Sequence, residues 1–255
     1  MSKIDFFCCK RKNINKMFCN ILIKFKDNKF KDKIIKNWLK NKGDNKMKNV
    51  NKILDKLEEI YPDAQCELNY ETPFELLIAT ILSAQCTDVR VNKVTEVLFK
   101  KYNTPEQFAA LTEEEIGEEI RSCGLYKSKS KKIKESSRMI CENFGGEVPQ
   151  TLKELTTLPG VGRKTADVVL SNAFNHDAIA VDTHVFRVTN RIGIVNEKNV
   201  EKTEFALMDV IPKNRWSHSH HLFIFHGRRM CKARKPECDA CPIKDDCDYY
   251  NNLQK

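Results

Sequence analysis

LPGVGRKTA, residues Leu158–Ala166, sets two glycines ahead of Arg163 and Lys164 and then runs into a helical pattern. A glycine-rich turn that opens a helix suits an anion, because glycine lets the backbone approach closely and the helix start carries unpaired N–H groups. The nucleotide-binding versions of such a turn do not fit. A Walker A loop needs four residues between its first glycine and a Gly-Lys pair, and here Arg163 separates Gly162 from Lys164. A dinucleotide fingerprint needs a third glycine and a preceding strand, and neither is present. What remains is a tight turn between two helices, suited to a nucleic-acid backbone phosphate, a contact that positions without reading sequence. Gly160, Val161, Gly162 and Arg163 are its candidate DNA-contacting residues.

Outward from this hairpin the pattern is helical throughout. Thr72-Pro-Phe-Glu75 offers a capping box with proline in the first turn, and Thr104-Pro-Glu-Gln107 and Thr112-Glu-Glu-Glu115 repeat the device. A basic helical segment ends at Gly145-Gly146, and further helical patterns are expected at about 163–174, 183–192, 199–210 and 214–227. No run sustains period-two alternation, so the fold class is all-α. Trp216, Phe223 and Phe225 read as core.

The net charge of +9 is unevenly spread. Residues 1–46 hold 14 of the 44 Lys/Arg and 4 of the 35 Asp/Glu, so the 30 basic and 31 acidic residues that remain nearly cancel. Lys, Asn, Ile and Phe make up 31 of those 46 residues, all types whose codons can consist of A and T alone. KGDNK before Met47 is compatible with a ribosome-binding sequence. Two readings follow: translated DNA upstream of a start at Met47, or a disordered basic arm that adds non-specific nucleic-acid affinity. No stretch reads as a signal peptide or a membrane span, and the expected location is cytoplasmic.

Of the eleven cysteines, the last four stand apart. Cys231, Cys238, Cys241 and Cys247 leave gaps of six, two and five residues in a polar loop that cannot build a core by itself. Four such thiolates can surround one metal centre, either tetrahedral zinc or a 4Fe-4S cluster; a lone first cysteine before a tighter trio favours the cluster. Arg228, Arg229, Lys232, Arg234 and Lys235 stand ready to offset cluster charge or face phosphates. With the cysteines as a full ligand set, His221 and His226 are expected to pack beside the cluster loop. Cys66, Cys86, Cys123 and Cys141 read as small apolar packing.

Three motifs in order, LPGVGRKTA, Ala180–Val188 (AVDTHVFRV) and the terminal cysteine spacing, resemble the endonuclease III family of helix–hairpin–helix, iron–sulfur DNA glycosylases. Phe74–Lys93 (FELLIATILSAQCTDVRVNK) and Ser122–Lys129 (SCGLYKSK) continue the likeness, which covers about residues 50–250. The resemblance implies excision of oxidised pyrimidines from duplex DNA, then strand cleavage at the abasic site. It places the nucleophile on Lys164 and its acidic partner on Asp182. It places DNA wedge residues at Gln85 and Leu125, with His184 nearby. It further implies two helical domains around a cleft, one of residues 66–176 and one of 47–65 with 177–250, the latter ending in the 4Fe-4S loop, and a monomer acting on double-stranded DNA. The alternatives are a monofunctional adenine-type glycosylase, disfavoured by Lys164, and a non-catalytic DNA-binding iron–sulfur protein.

Overall fold

The structure is a computed structural model and describes residues 49–254. Both readings of residues 1–46 lie outside the described residues. Among the described residues every regular element is a helix. Helix α1 covers residues 49–60. It is followed by α2 (Pro73–Leu82), α3 (Asp88–Lys101), α4 (Pro105–Ala110), α5 (Glu113–Glu119), α6 (Tyr126–Phe144) and α7 (Leu152–Leu155). After the hairpin come α8 (Arg163–Ala173), α9 (Thr183–Ile192), α10 (Val200–Val210), α11 (Trp216–Arg229) and α12 (Asp248–Leu253).

The threonines punctuate these helices as their spacing predicts. Thr72, Thr104 and Thr112 each accept the backbone N–H three residues on, and Glu75, Gln107 and Glu115 return a bond to the cap backbone. Thr87 and Thr151 cap α3 and α7 with the hydroxyl alone. Each such cap stabilises its helix by about 1 kcal/mol. Gly145 ends α6 at φ +62°, a left-handed cap that glycine adopts without a Cβ clash.

Two hydrophobic cores result. Leu76, Leu77, Ile78 and Leu82 of α2 are fully buried, so this helix runs through the middle of the first core rather than along its surface. Val91, Leu98, Phe108, Ile116, Ile133 and Ile140 pack around it, and the hairpin adds Leu158, Val161 and Ala166. The second core joins Ile53, Leu54 and Leu57 of α1 to Val185, Val188, Leu207, Leu222, Phe223 and Ile243. The first core draws on residues 68–170, the second on 50–64 and 179–243. Phe223 and Phe225 lie in the second core as expected, and the partly buried Trp216 closes its edge with an indole N–H donated to the Ile211 carbonyl at 2.9 Å. No helix among the described residues is long and apolar enough to cross a membrane.

Candidate functional site

The hairpin is anchored from below and open above. Leu158 and Val161 are buried, and the Val161 N–H closes the turn on the Leu158 carbonyl at 3.1 Å. Ser136 Oγ donates to the Pro159 carbonyl at 2.7 Å. Gly160 sits at φ +83°, a left-handed conformation that favours glycine, and a Cβ there would press on the Lys132 side chain at 3.0 Å. Gly162 N-caps α8 with no side chain to offer. Helices α2 to α5 and α7 all begin at a threonine cap. The first turn of α8 has none, which leaves N–H groups at a positive helix end for an anion. Arg163 departs from its expected role here. Its guanidinium grips Glu204 of α10 in a fork, Nε to Oε2 at 2.8 Å, and stacks over the Phe205 ring at 5.0 Å.

Lys164, exposed at the second position of α8, lines a cleft of about 520 Å³ of open space between the two cores. Asp182 lines the same cleft from the N-cap of α9. Its Oδ1 accepts the His184 and Val185 N–H groups, both at 2.8 Å. Among the described residues no hydrogen bond engages Oδ2. Two residues that share consecutive short motifs on different helices are thus brought together.

The cleft also holds groups that the sequence did not mark. Asp88 begins α3, and burial pushes its carboxyl up from the usual range, with Lys164 and His184 lowering it and Asp182 raising it. These four groups therefore share one electrostatic field. Arg228 Nη2 donates to Asp88 Oδ2 at 2.7 Å and its other nitrogen pairs with Glu67. In the sequence Asp88 passes for a first-turn acid after the Thr87 cap. His220 and His221 are buried at the back of the cleft, donating to the Ala180 carbonyl at 2.6 Å and to Asn172 Oδ1 at 2.9 Å. Burial lowers them to about 4 and about 3, which keeps both neutral near pH 7. His221 is accordingly not beside the cluster loop. It and His226 are five residues apart on a helix of about 3.6 residues per turn, so they face different ways.

Gln85 and Leu125 lie side by side on the surface. Both are exposed, and both adopt left-handed backbone, φ +54° and +59°. A Cβ on Gly124 would lie 3.7 Å from the Gln85 carbonyl, so the two turns abut. A non-glycine residue held there stores about 1 kcal/mol of strain or more, of the kind that clusters at functional sites. Leu125 is 59% exposed, an unfavourable place for a leucine with no partner. His184 is half-buried where α9 crosses α11, its Nδ1 3.2 Å from Arg187 Nη2.

The four terminal cysteines ring a separate cavity of about 350 Å³, closed by Ile192, Met230, Ile243 and Tyr249. Among the described residues no three His, Cys, Asp or Glu side chains converge on a single-ion position. Thiols placed around a space rather than a point fit a multi-atom cluster. Burial raises the Cys241 and Cys247 thiols, and neighbouring cysteines raise them further, so clustered thiolates require a compensating cation. Arg191 supplies part of it: Nη1 reaches Cys231 Sγ at 3.6 Å and donates to the Lys232 carbonyl at 2.8 Å. His226 Nε2 lies 3.7 Å from Cys241 Sγ. The basic residues expected here act elsewhere in part. Arg228 serves the cleft, Arg229 pairs with Asp63 over the Phe225 ring, and Lys232 pairs with Glu237. Arg234 and Lys235 remain exposed in the loop. Arg191 went unmarked because nothing local distinguishes it from the last-turn basic residue of any helix.

Known proteins carry the same features. The model of the HhH-GPD superfamily of base excision DNA repair proteins matches residues 78–213, and that of the iron–sulfur binding domain of endonuclease III matches residues 231–247. Endonuclease III of Bacillus subtilis is 51% identical over 202 residues, covering 79% of this chain and 92% of that protein. The solved structures of a non-covalent endonuclease III–DNA complex and of a trapped endonuclease III–DNA covalent intermediate each superpose with a TM-score of 0.78 at 48% identity, covering 82% of this chain and 99% of theirs. The chain carries a 4Fe-4S cluster. A cleft with an amine and a carboxylate, a phosphate-sized hairpin and a cysteine-ringed cavity thus come with relatives matched almost end to end, and the chain belongs to the endonuclease III family of bifunctional DNA glycosylase/AP lyases of base excision repair.

Proposed function

We propose that this chain removes oxidised pyrimidines from double-stranded DNA and then cleaves the strand 3′ of the abasic site through a Schiff base on Lys164. The observation that carries this reading is the meeting of Lys164 and Asp182 in one cleft from two different helices. The deprotonated amine attacks the deoxyribose C1′, the C1′–N bond breaks and the base leaves with a proton. Ring opening gives an iminium that acidifies the C2′ proton, and β-elimination expels the 3′ phosphate. Asp182, with Oδ2 uncommitted, stabilises positive charge developing on the sugar and shuttles the proton. Asp88 and Arg228 fix the far wall.

Gly160, Val161 and Gly162 hold a backbone phosphate on the open first turn of α8, while Gln85 and Leu125 fill the gap left by the extruded nucleotide. Gln85 faces the orphaned base with hydrogen-bonding capacity and Leu125 acts as the apolar plug; His184 stands at the rim. Cys231, Cys238, Cys241 and Cys247 hold the cluster, which staples the loop. The two cores correspond to one domain of residues 66–176 and another of 47–65 with 177–250. The protein works as a cytoplasmic monomer on oxidised pyrimidines and abasic sites. Release of thymine glycol from a duplex, followed by chromatography of the free base, tests the substrate. Turnover on thymine glycol but not on the undamaged duplex is expected. Equal inactivity on both, with nicking only at preformed abasic sites, contradicts it.

A further inference from the structure

Beneath the two exposed wedge residues lies a pair of thiols that the repair chemistry leaves unused. Cys86 directly follows Gln85, and Cys123 stands two residues before Leu125. Both are free; Cys123 is fully buried in the first core and Cys86 packs half-buried against the same core. A Cβ on Gly124, the neighbour of Cys123, would lie 3.7 Å from the carbonyl of Gln85, the neighbour of Cys86, so the two turns that carry the thiols abut. Each sits in a tight turn, Cys86 N–H on the Ser83 carbonyl at 3.1 Å and Cys123 N–H on the Ile120 carbonyl at 2.8 Å. Lys129 completes the cluster. It is buried, donates from Nζ to the Leu82 carbonyl at 2.8 Å, and feels both thiols.

We propose that Cys86 and Cys123 form a reversible disulfide that ties the Gln85 turn to the Leu125 turn and holds the DNA wedge closed. The inference rests on the wedge roles given under Proposed function. The oxidant is hydrogen peroxide. The more accessible Cys86 sulfur attacks it, the O–O bond breaks, and sulfenic acid and water form as the thiol proton passes to the leaving oxygen. The Cys123 sulfur then attacks the Cys86 sulfur, the S–O bond breaks, and water leaves with the thiol proton. Two thiols are oxidised and one peroxide becomes two waters. Burial pushes the Cys123 thiol up to about 11, which suits a resolving rather than an attacking partner. A small dithiol reverses the reaction by exchange. The wedge turns already hold strained backbone, and a crosslink at their base fixes a spacing that must adjust around the duplex.

The experiment exposes the reduced holoprotein to hydrogen peroxide while the visible absorption of its cluster is followed. Free thiols are blocked, disulfides reduced, and the newly freed thiols labelled and mapped by mass. Cys86 and Cys123 are expected to gain the second label together, whereas Cys123 gains none in Cys86→Ser. Nicking of an abasic duplex falls about fivefold or more and recovers with dithiothreitol, while Cys123→Ala under the same peroxide keeps its activity. Absence of paired label overturns the proposal, and so does paired label with unchanged nicking. Labelling is read without reference to activity, so a reduced protein that never nicks counts against the proposed function and not against the disulfide.

Discussion

The carboxylate of Asp182 has a structural task and a proposed chemical one, and the two can be separated. Oδ1 caps α9 through two backbone N–H groups, while Oδ2 is the oxygen assigned to the proposed sugar chemistry. Asparagine is as good a cap as aspartate. Asp182→Asn is therefore expected to change unfolding free energy by less than ~1 kcal/mol while lowering nicking of an abasic duplex by about 100-fold. Chemical denaturation and single-turnover kinetics on the same sample check both halves. Lys164 and Asp182 were marked in the sequence by the family resemblance of the short motifs that hold them, and both line one cleft. The pairing of Asp88 with Arg228 and that of Arg191 with Cys231 were not legible, since the partners lie 140 and 40 residues apart. The left-handed backbone of Gln85 and Leu125 was equally hidden, as neither residue type announces such a conformation.

At the scale of elements, α9 links the two functional centres. Asp182 caps its start, Arg187 in its middle donates to the Cys231 carbonyl at 3.1 Å, and Arg191 near its end reaches the Cys231 sulfur. Loss of the cluster is thus expected to loosen the helix whose start Asp182 caps. Helix α8 is held to the second core in a comparable way through Arg163 and the buried Glu204. Removing one partner strands a charge in a site that also contains the buried Asp167. Arg163→Ala is expected to cost about 3 kcal/mol, measured by urea unfolding, with little change in the salt dependence of DNA binding. A stability loss below ~1 kcal/mol together with a flatter salt slope restores Arg163 as a phosphate ligand. Helix boundaries were largely readable from caps and glycines. The orientation of α11 was not, because histidines on both its faces look alike in sequence.

For the molecule as a whole, buried titratable groups set an opposed pH response. Burial, with Glu204 adding to it, lifts Asp167 from 3.8 to about 7, and its Oδ2 has no hydrogen-bond partner. The folded state then binds a proton that the unfolded chain has lost, so this group's contribution is full below pH 3.8 and disappears as the pH rises through about 7. His220, His221 and His226 fall by burial from 6.5 to about 4, 3 and 4, so their contribution is full above pH 6.5 and is lost on acidification. Asp167→Asn removes the first effect alone. Its stabilisation over the parent chain is expected to grow between pH 5 and pH 8, by about 3 kcal/mol at most, in denaturation series at each pH. A difference independent of pH contradicts the assignment. The central claim is that Lys164 bonds covalently to the sugar, and borohydride reduction during reaction with a thymine glycol duplex tests it most directly. The expected result is a protein–DNA adduct whose peptide map places the crosslink on Lys164 and which is absent in Lys164→Ala. Base release with no adduct, or an adduct that survives in Lys164→Ala, contradicts it.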